Sequence, residues 1–342
     1  MTAPAIGVDP ALFELMDAVF AEYRETRSPA GTLERDADLW RRLDDLGLVR
    51  LTGAEHSGGS GAGWYEAAEL LAAAVRHGVR IPLAEHDLLA CWLLDANGMP
   101  SDGAVRTVCL LDDHGVAKGV PWAAGADRIV VVWQSGDEYR TADVEIAALE
   151  ITPGANMIGE PRDTVVADAT TLPGVPVAPA LIAQLRLKSA LARSIQVCAA
   201  LDRILQLSIE HATSRIQFGR PLSRFQAVQN LIADIAAEAA LARAATEAAL
   251  TAAVTSQWSA SNLDFLVAVA RSCAGHAASV VVRDAHQVHG AIGTTREHRL
   301  HEFTRAALSW RSEFGSVQYW DDQVTSAALR AGADGLWSLI TG

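Results

Sequence analysis

The sequence predicts a mainly α chain with one small β-domain in its middle, in the order helical, β, helical. Helical periodicity runs through both ends, a central stretch switches to short β-branched runs separated by Gly, Asp and Pro, and the C-terminal helices are long and rich in alanine. With 342 residues, half of them hydrophobic, the chain can bury a large core and divide into two or three domains.

Residues 1–100 form the expected N-terminal helical domain, with periodic stretches at Ala11–Tyr23, Asp36–Gly47 and Trp64–Gly78. The glycine-rich break at His56–Gly63 has no GKS/T ending and no preceding strand, so it reads as an interhelical turn and not a phosphate loop. Residues 101–175 form the β-domain, with runs at Arg106–Leu111, Arg128–Trp133 and Asp143–Leu149. Trp122 reads as a buried strand-turn residue. From residue 176 to 342 long helices return, at Leu181–Arg215, Phe225–Leu250 and Leu263–Gly290. Their alanine content suits close approach in an antiparallel bundle.

Acidic residues outnumber basic ones by 41 to 28, a formal charge of -13 that repels a phosphate backbone, so no nucleic-acid partner is expected. No uninterrupted apolar run reaches the roughly 18 to 20 residues of a membrane span, and no basic region precedes an apolar core at the N-terminus. The reading is a cytoplasmic protein without a membrane partner. Cys91, Cys109, Cys198 and Cys273 are widely spaced and read as reduced core thiols. His286, His289, His298 and His301 crowd one stretch, but their spacing fits no metal signature, and no metal is expected.

Two segments carry chemistry. Arg215-Ile-Gln-Phe-Gly-Arg-Pro-Leu-Ser-Arg-Phe-Gln226 joins two long helices. Arg215, at a helix end, offers planar donors that can fork onto a pyrophosphate. Gly219 and Pro221 break the helix, and the next is expected near Ser223 or Arg224, placing Gln226 among unpaired backbone N–H groups. The second segment is His286-Gln-Val-His-Gly-Ala-Ile-Gly-Thr-Thr-Arg-Glu-His-Arg-Leu-His301.

The first segment resembles the R-x-Q-F-G signature of the acyl-CoA dehydrogenase family and the second its Q-x-H-G-G segment. Leu46–Leu51 and the glycine break are more weakly similar to its N-terminal domain. The resemblance spans nearly the whole chain and implies a C-terminal four-helix bundle, FAD as cofactor, an acyl-CoA substrate and an electron-transfer flavoprotein as acceptor. In the family these segments cross a dimer interface to hold the adenosine diphosphate half of the neighbour's flavin. The matching positions are Arg215, Gln217, Phe218, Gln226, Gln287 and Gly290, with Ala291 standing where the family has its second glycine.

The family's own-subunit features are missing. No segment resembles Y-x-x-T-E-P-x-x-G-S-D, which holds the flavin ring, and the β-domain is short. A gapless count puts Phe314 at the usual glutamate base, with Glu313 one residue earlier, and Ser189 at the alternative base position beside Lys188 and Arg186. The family's Arg-Asp pair reads Arg305-Ala306. Residues given to a neighbour are kept and residues used at home are lost. The resemblance therefore implies an α2β2 assembly with a homologous subunit carrying the ring contacts and base, as in bacterial dehydrogenases of steroid degradation. Alternatives are a self-sufficient homo-oligomer using Glu313 or Glu297 as base, and a flavin-free structural homologue.

Overall fold

The computed structural model describes residues 7–26 and 34–341. Residues 1–6 and 27–33 of the expected N-terminal domain, and residue 342, lie outside that description. The chain divides into two compact units, Met1–Ser189 and Ala190–Gly342.

The first unit opens with α1 (Pro10–Thr26), whose first turn is capped by Asp9: its Oδ1 accepts from the Ala11 N–H at 2.7 Å. Met16, Val19 and Phe20 are its buried stripe. α2 (Ala37–Asp45) starts at Asp36, whose carboxylate accepts from the N–H groups of Asp38 and Leu39, both at 3.0 Å. α3 (Trp64–His77) is closed by Gly78 in the left-handed conformation. The glycine-rich break is a folded turn: a Cβ on Gly59 would stand 2.0 Å from the Gly53 carbonyl oxygen, so close backbone packing explains that glycine. A buried π-helical segment, Ala84–Cys91, then runs into α4 (Trp92–Ala96). It carries Glu85, His86 and Asp87 into the interior. Asp87 accepts from the Thr52 N–H at 2.9 Å and hydroxyl at 3.0 Å, and burial raises its carboxyl to about 6.

Seven strands follow: β1 (Arg106–Leu110), β2 (Val116–Pro121), β3 (Arg128–Ser135), β4 (Glu138–Glu145), β5 (Glu150–Thr152), β6 (Arg162–Val166) and β7 (Val175–Val177). They form two sheets, ordered β1-β3-β4-β7 and β2-β6-β5. β1 and β3 pair in parallel, and the other pairs are antiparallel. Cys109, Ile129, Val131, Ala142, Val165 and Ala167 meet in one core, the apolar half of an alternating pattern. The expected strand at Asp143–Leu149 falls earlier, because β4 ends at Glu145 and Ile146–Ala148 makes a 3-10 turn. The Gly136–Asp137 pair between Ser135 and Glu138 closes a two-residue hairpin that sets this register. Trp122 is buried at the end of β2, with φ +59°.

α5 (Pro179–Ser214) contains the boundary between the units. On the first unit's side, the Lys188 ammonium lies 4.7 Å and 4.5 Å from the ring centres of Trp64 and Trp92. Burial pushes Lys188 down to about 7.

In the second unit, β8 (Ile216–Gln217) and β9 (Arg220–Pro221) form a hairpin, followed by α6 (Gln226–Thr255), α7 (Leu263–His289), α8 (Leu300–Trp310) and α9 (Val317–Thr341). Gly332, at φ +63°, breaks α9. α6 and α9 both pack on α7, whose Ala268, Ala270, Ala274, Ala277 and Ala278 are fully buried. Leu263–Thr294 is long and apolar enough for a membrane span, yet 61% of its apolar window is buried within the chain, as in a core helix.

Candidate functional site

Arg215 caps the end of α5, where its N–H donates to the His211 carbonyl at 2.9 Å. The next residues form the β8–β9 hairpin: Ile216 pairs with Pro221 and Gln217 with Arg220. Phe218 and Gly219 at its tip have φ of +52° and +79°, the positive pair that a two-residue turn of primed type requires. The Leu222 N–H returns to the Arg215 carbonyl at 2.9 Å. A 3-10 turn over Leu222–Arg224 then delays α6 to Gln226, later than the Ser223–Arg224 start the sequence suggested. Gln226 remains in the first turn of that helix.

The second segment approaches from α7, whose last turn holds His286, Gln287 and His289. Gly290 ends the helix at φ +64° and ψ -144°, a conformation glycine adopts without strain, and a Cβ there would meet open space. Gly290–Thr294 continues as a 3-10 turn.

The two segments, far apart in sequence, meet in one cleft of about 480 Å³. Arg215, Gln217, Gln287 and Gly290 line it together with His211 and His289. Phe218 and Gln226, from the same predicted set, do not. Phe218 stands on the hairpin tip with 91% of its surface exposed, its ring edge-on to Phe225 at 6.1 Å. Gln226 is exposed and donates to Asn230 Oδ1 at 3.4 Å. Ala291 also borders the cleft. A guanidinium, two primary amides and a glycine without a crowding side chain suit an extended, doubly charged anion such as a pyrophosphate.

Around Phe314, where the resemblance would place a base, the Arg193 Nε–H donates to Glu313 Oε2 at 2.7 Å, with the Arg193 side chain 2% and the Glu313 side chain 16% exposed. Arg193 also donates to Gln196 Oε1 at 2.5 Å, and its guanidinium lies 5.2 Å from the centre of the Phe314 ring. Phe314 has φ +55°. Arg271, fully buried in α7, donates through Nη2 to the carbonyls of Glu313 at 2.7 Å and Arg311 at 3.0 Å, closing the end of α8. Arg193 and Arg271 were not singled out from sequence. Their signal was available, since each is a lone charge inside an apolar helical run, where a buried partner is required. The Ser189 hydroxyl donates to the Leu185 carbonyl at 2.8 Å, which occupies it within its own helix.

A family model described as "Acyl-CoA dehydrogenase, C-terminal domain" matches residues 178–328, which contain both segments. Acyl-CoA dehydrogenase FadE27 of Mycobacterium tuberculosis (strain ATCC 25618 / H37Rv) is 29% identical over 82% of this chain and 85% of its own length. Residues 178–328 thus carry the C-terminal domain of the acyl-CoA dehydrogenase family. The fold agrees with that of solved acyl-CoA dehydrogenases. One chain of the ChsE4-ChsE5 complex from Mycobacterium tuberculosis superposes with a TM-score of 0.82, at 22% identity, covering 94% of this chain and 97% of that one. A variant of the Tcur3481-Tcur3483 steroid ACAD gives 0.78 at 21% identity, covering 92% and 96%. Among acyl-CoA dehydrogenases the mainly α architecture with a small β region is thus the family's own.

Proposed function

We propose that this chain is one subunit of a flavin-dependent acyl-CoA dehydrogenase, and that it completes the FAD site of a homologous partner subunit in an α2β2 assembly. What supports this most is the cleft itself, where Arg215, Gln217, Gln287 and Gly290 converge from two segments distant in sequence. The residues present fit the adenosine diphosphate half of the cofactor. Arg215 offers two parallel N–H donors to a pyrophosphate. The amides of Gln217 and Gln287 can each donate and accept, and Gly290 lets a phosphate oxygen approach the backbone. FAD, when bound, is the group that accepts the hydride as an acyl-CoA thioester is desaturated between its α and β carbons.

Proton abstraction is assigned to the partner. In this chain Glu313 holds a buried arginine, and Phe314 has no ionisable group. The reading extends to a bulky, steroid-derived acyl-CoA, in line with the steroid enzyme among its structural relatives, to an electron-transfer flavoprotein as acceptor, and to the cytoplasm.

The test is expression of the full chain with and without a homologous subunit that carries a base and ring contacts. The chain alone is expected to be colourless, and the co-purified complex yellow and active with half as many flavins as subunits. A fully flavinated, active homo-oligomer of this chain would overturn the proposal.

A further inference from the structure

We propose that His211, His289 and His298 form a binding site for a divalent transition metal of the zinc class, on the border of the cleft. They come from three elements: the last turn of α5, the last turn of α7, and the loop just before α8. One ring nitrogen from each lies within 4.8 Å of the other two. His211 and His289 stack with ring centres 4.5 Å apart, His289 and His298 stand at 4.7 Å, and His211 and His298 at 6.0 Å.

Tetrahedral zinc with nitrogen ligands at about 2.0–2.1 Å needs those nitrogens roughly 3.4 Å apart. Closing from the observed spacing asks each side chain to move by a fraction of an ångström to about one, which ordinary torsional adjustment supplies. The second nitrogen of His289 is consistent with this. His289 Nδ1 pairs with the Ala285 carbonyl at 2.8 Å, which places the proton on Nδ1 and leaves Nε2 as a lone pair. That Nε2 is buried with no hydrogen-bond partner, a state that calls for an explanation. His298 Nδ1 accepts from the Leu300 N–H at 3.1 Å. Ligation through its Nε2 exchanges this one neutral hydrogen bond, to an N–H in the first turn of α8, for a coordinate bond.

Three imidazoles leave a fourth tetrahedral position, and imidazole sets of this kind suit zinc, copper and nickel over magnesium or calcium. Two of the three ligands line the cleft, so an ion here ties the Arg215 segment to the Gln287 segment and fixes the spacing between them. The linear spacing of the C-terminal histidines hides the site, because His211 lies on another helix.

The full chain, purified without a polyhistidine tag and stripped with chelator, is titrated with Zn2+ against a chromophoric competitor, and with Co2+ for its visible absorption. The expected result is one Zn2+ per chain with Kd of about 1 µM or tighter, and a Co2+ spectrum of low-coordinate nitrogen ligation. His211→Ala and His298→Ala, both half-buried positions, are each expected to weaken binding at least about 30-fold, a loss of one coordinate bond, with circular dichroism showing the fold kept. Retention of less than a tenth of an equivalent, or affinity unchanged in both folded variants, overturns the site. The readout needs neither flavin nor a partner subunit, so its failure is distinct from failure of the proposed function.

Discussion

Replacing Glu313 with glutamine separates an anchoring carboxylate from a catalytic one. Glu313 Oε2 lies 2.7 Å from Nε of an arginine with 2% of its side chain exposed, so the substitution leaves the buried Arg193 cation with a neutral acceptor. A charge-assisted hydrogen bond contributes about 1.5 to 3 kcal/mol, and the partial exposure of Glu313 places the loss in the lower half of that range. For a unit of this size, thermal unfolding is expected to fall by roughly 3 to 8 °C. On the proposed function, in which the partner supplies the base, turnover per folded complex is expected to stay within about three-fold; loss of a true base costs about 10² to 10⁴ in rate. Differential scanning calorimetry and steady-state kinetics on one co-purified complex read both quantities. The double variant Arg193→Met, Glu313→Gln should lose less stability than the two single losses added together, because it leaves no unpaired cation. A hundred-fold or greater fall in kcat at unchanged melting temperature and flavin content would refute this reasoning and make Glu313 the base.

Arg215→Ala is expected to weaken flavin retention by about ten- to a hundred-fold, the loss of one charge-assisted contact, measured by equilibrium dialysis of the complex; unchanged retention would make Arg215 a solvated helix end. Lys188, held down near 7 against an ordinary 10.5, binds its proton less readily in the folded state than in the unfolded chain. Stability should therefore rise with pH between those values, by at most about 1.4 kcal/mol per unit, with the Trp64 and Trp92 faces reducing the effect. Lys188→Met should remove that slope in urea melts; identical pH slopes in both proteins would count against a buried, destabilised ammonium. A Cβ on Gly275 would stand 2.7 Å from Val317 Cγ2, so Gly275→Ala should cost about 1 to 3 kcal/mol where α7 meets α9. Added Val317→Ala should restore part of it, and no rescue would place the cost elsewhere.

Sustained periodicity made the long elements legible. Trp64–His77 and Leu263–His289 show repeating apolar faces over several turns, and the structure keeps both as helices. What escaped depends on partners distant in sequence. Nothing local in Ile216–Pro221 separates a helix break from a hairpin, because both use glycine and proline at the same spacing. The division of the strands into two sheets follows from pairings such as β1 with β3, which no window of sequence contains. Arg215 and Gln287 could be marked as polar groups at helix ends, but only the fold brings them to one cleft. Arg193 and Arg271 escaped because their periodicity matches that of the apolar residues around them, while their purpose lies in the Arg311–Glu313 turn.

Phe218 stands at the tip of the β8–β9 turn at φ +52°, with 91% of its surface exposed. Such a ring is the kind of surface that chaperones bind and that seeds association between like molecules. If the proposed partner covers that tip, a copy made in excess of its cover shows the ring to quality control, and the abundance of this chain then follows that of the partner.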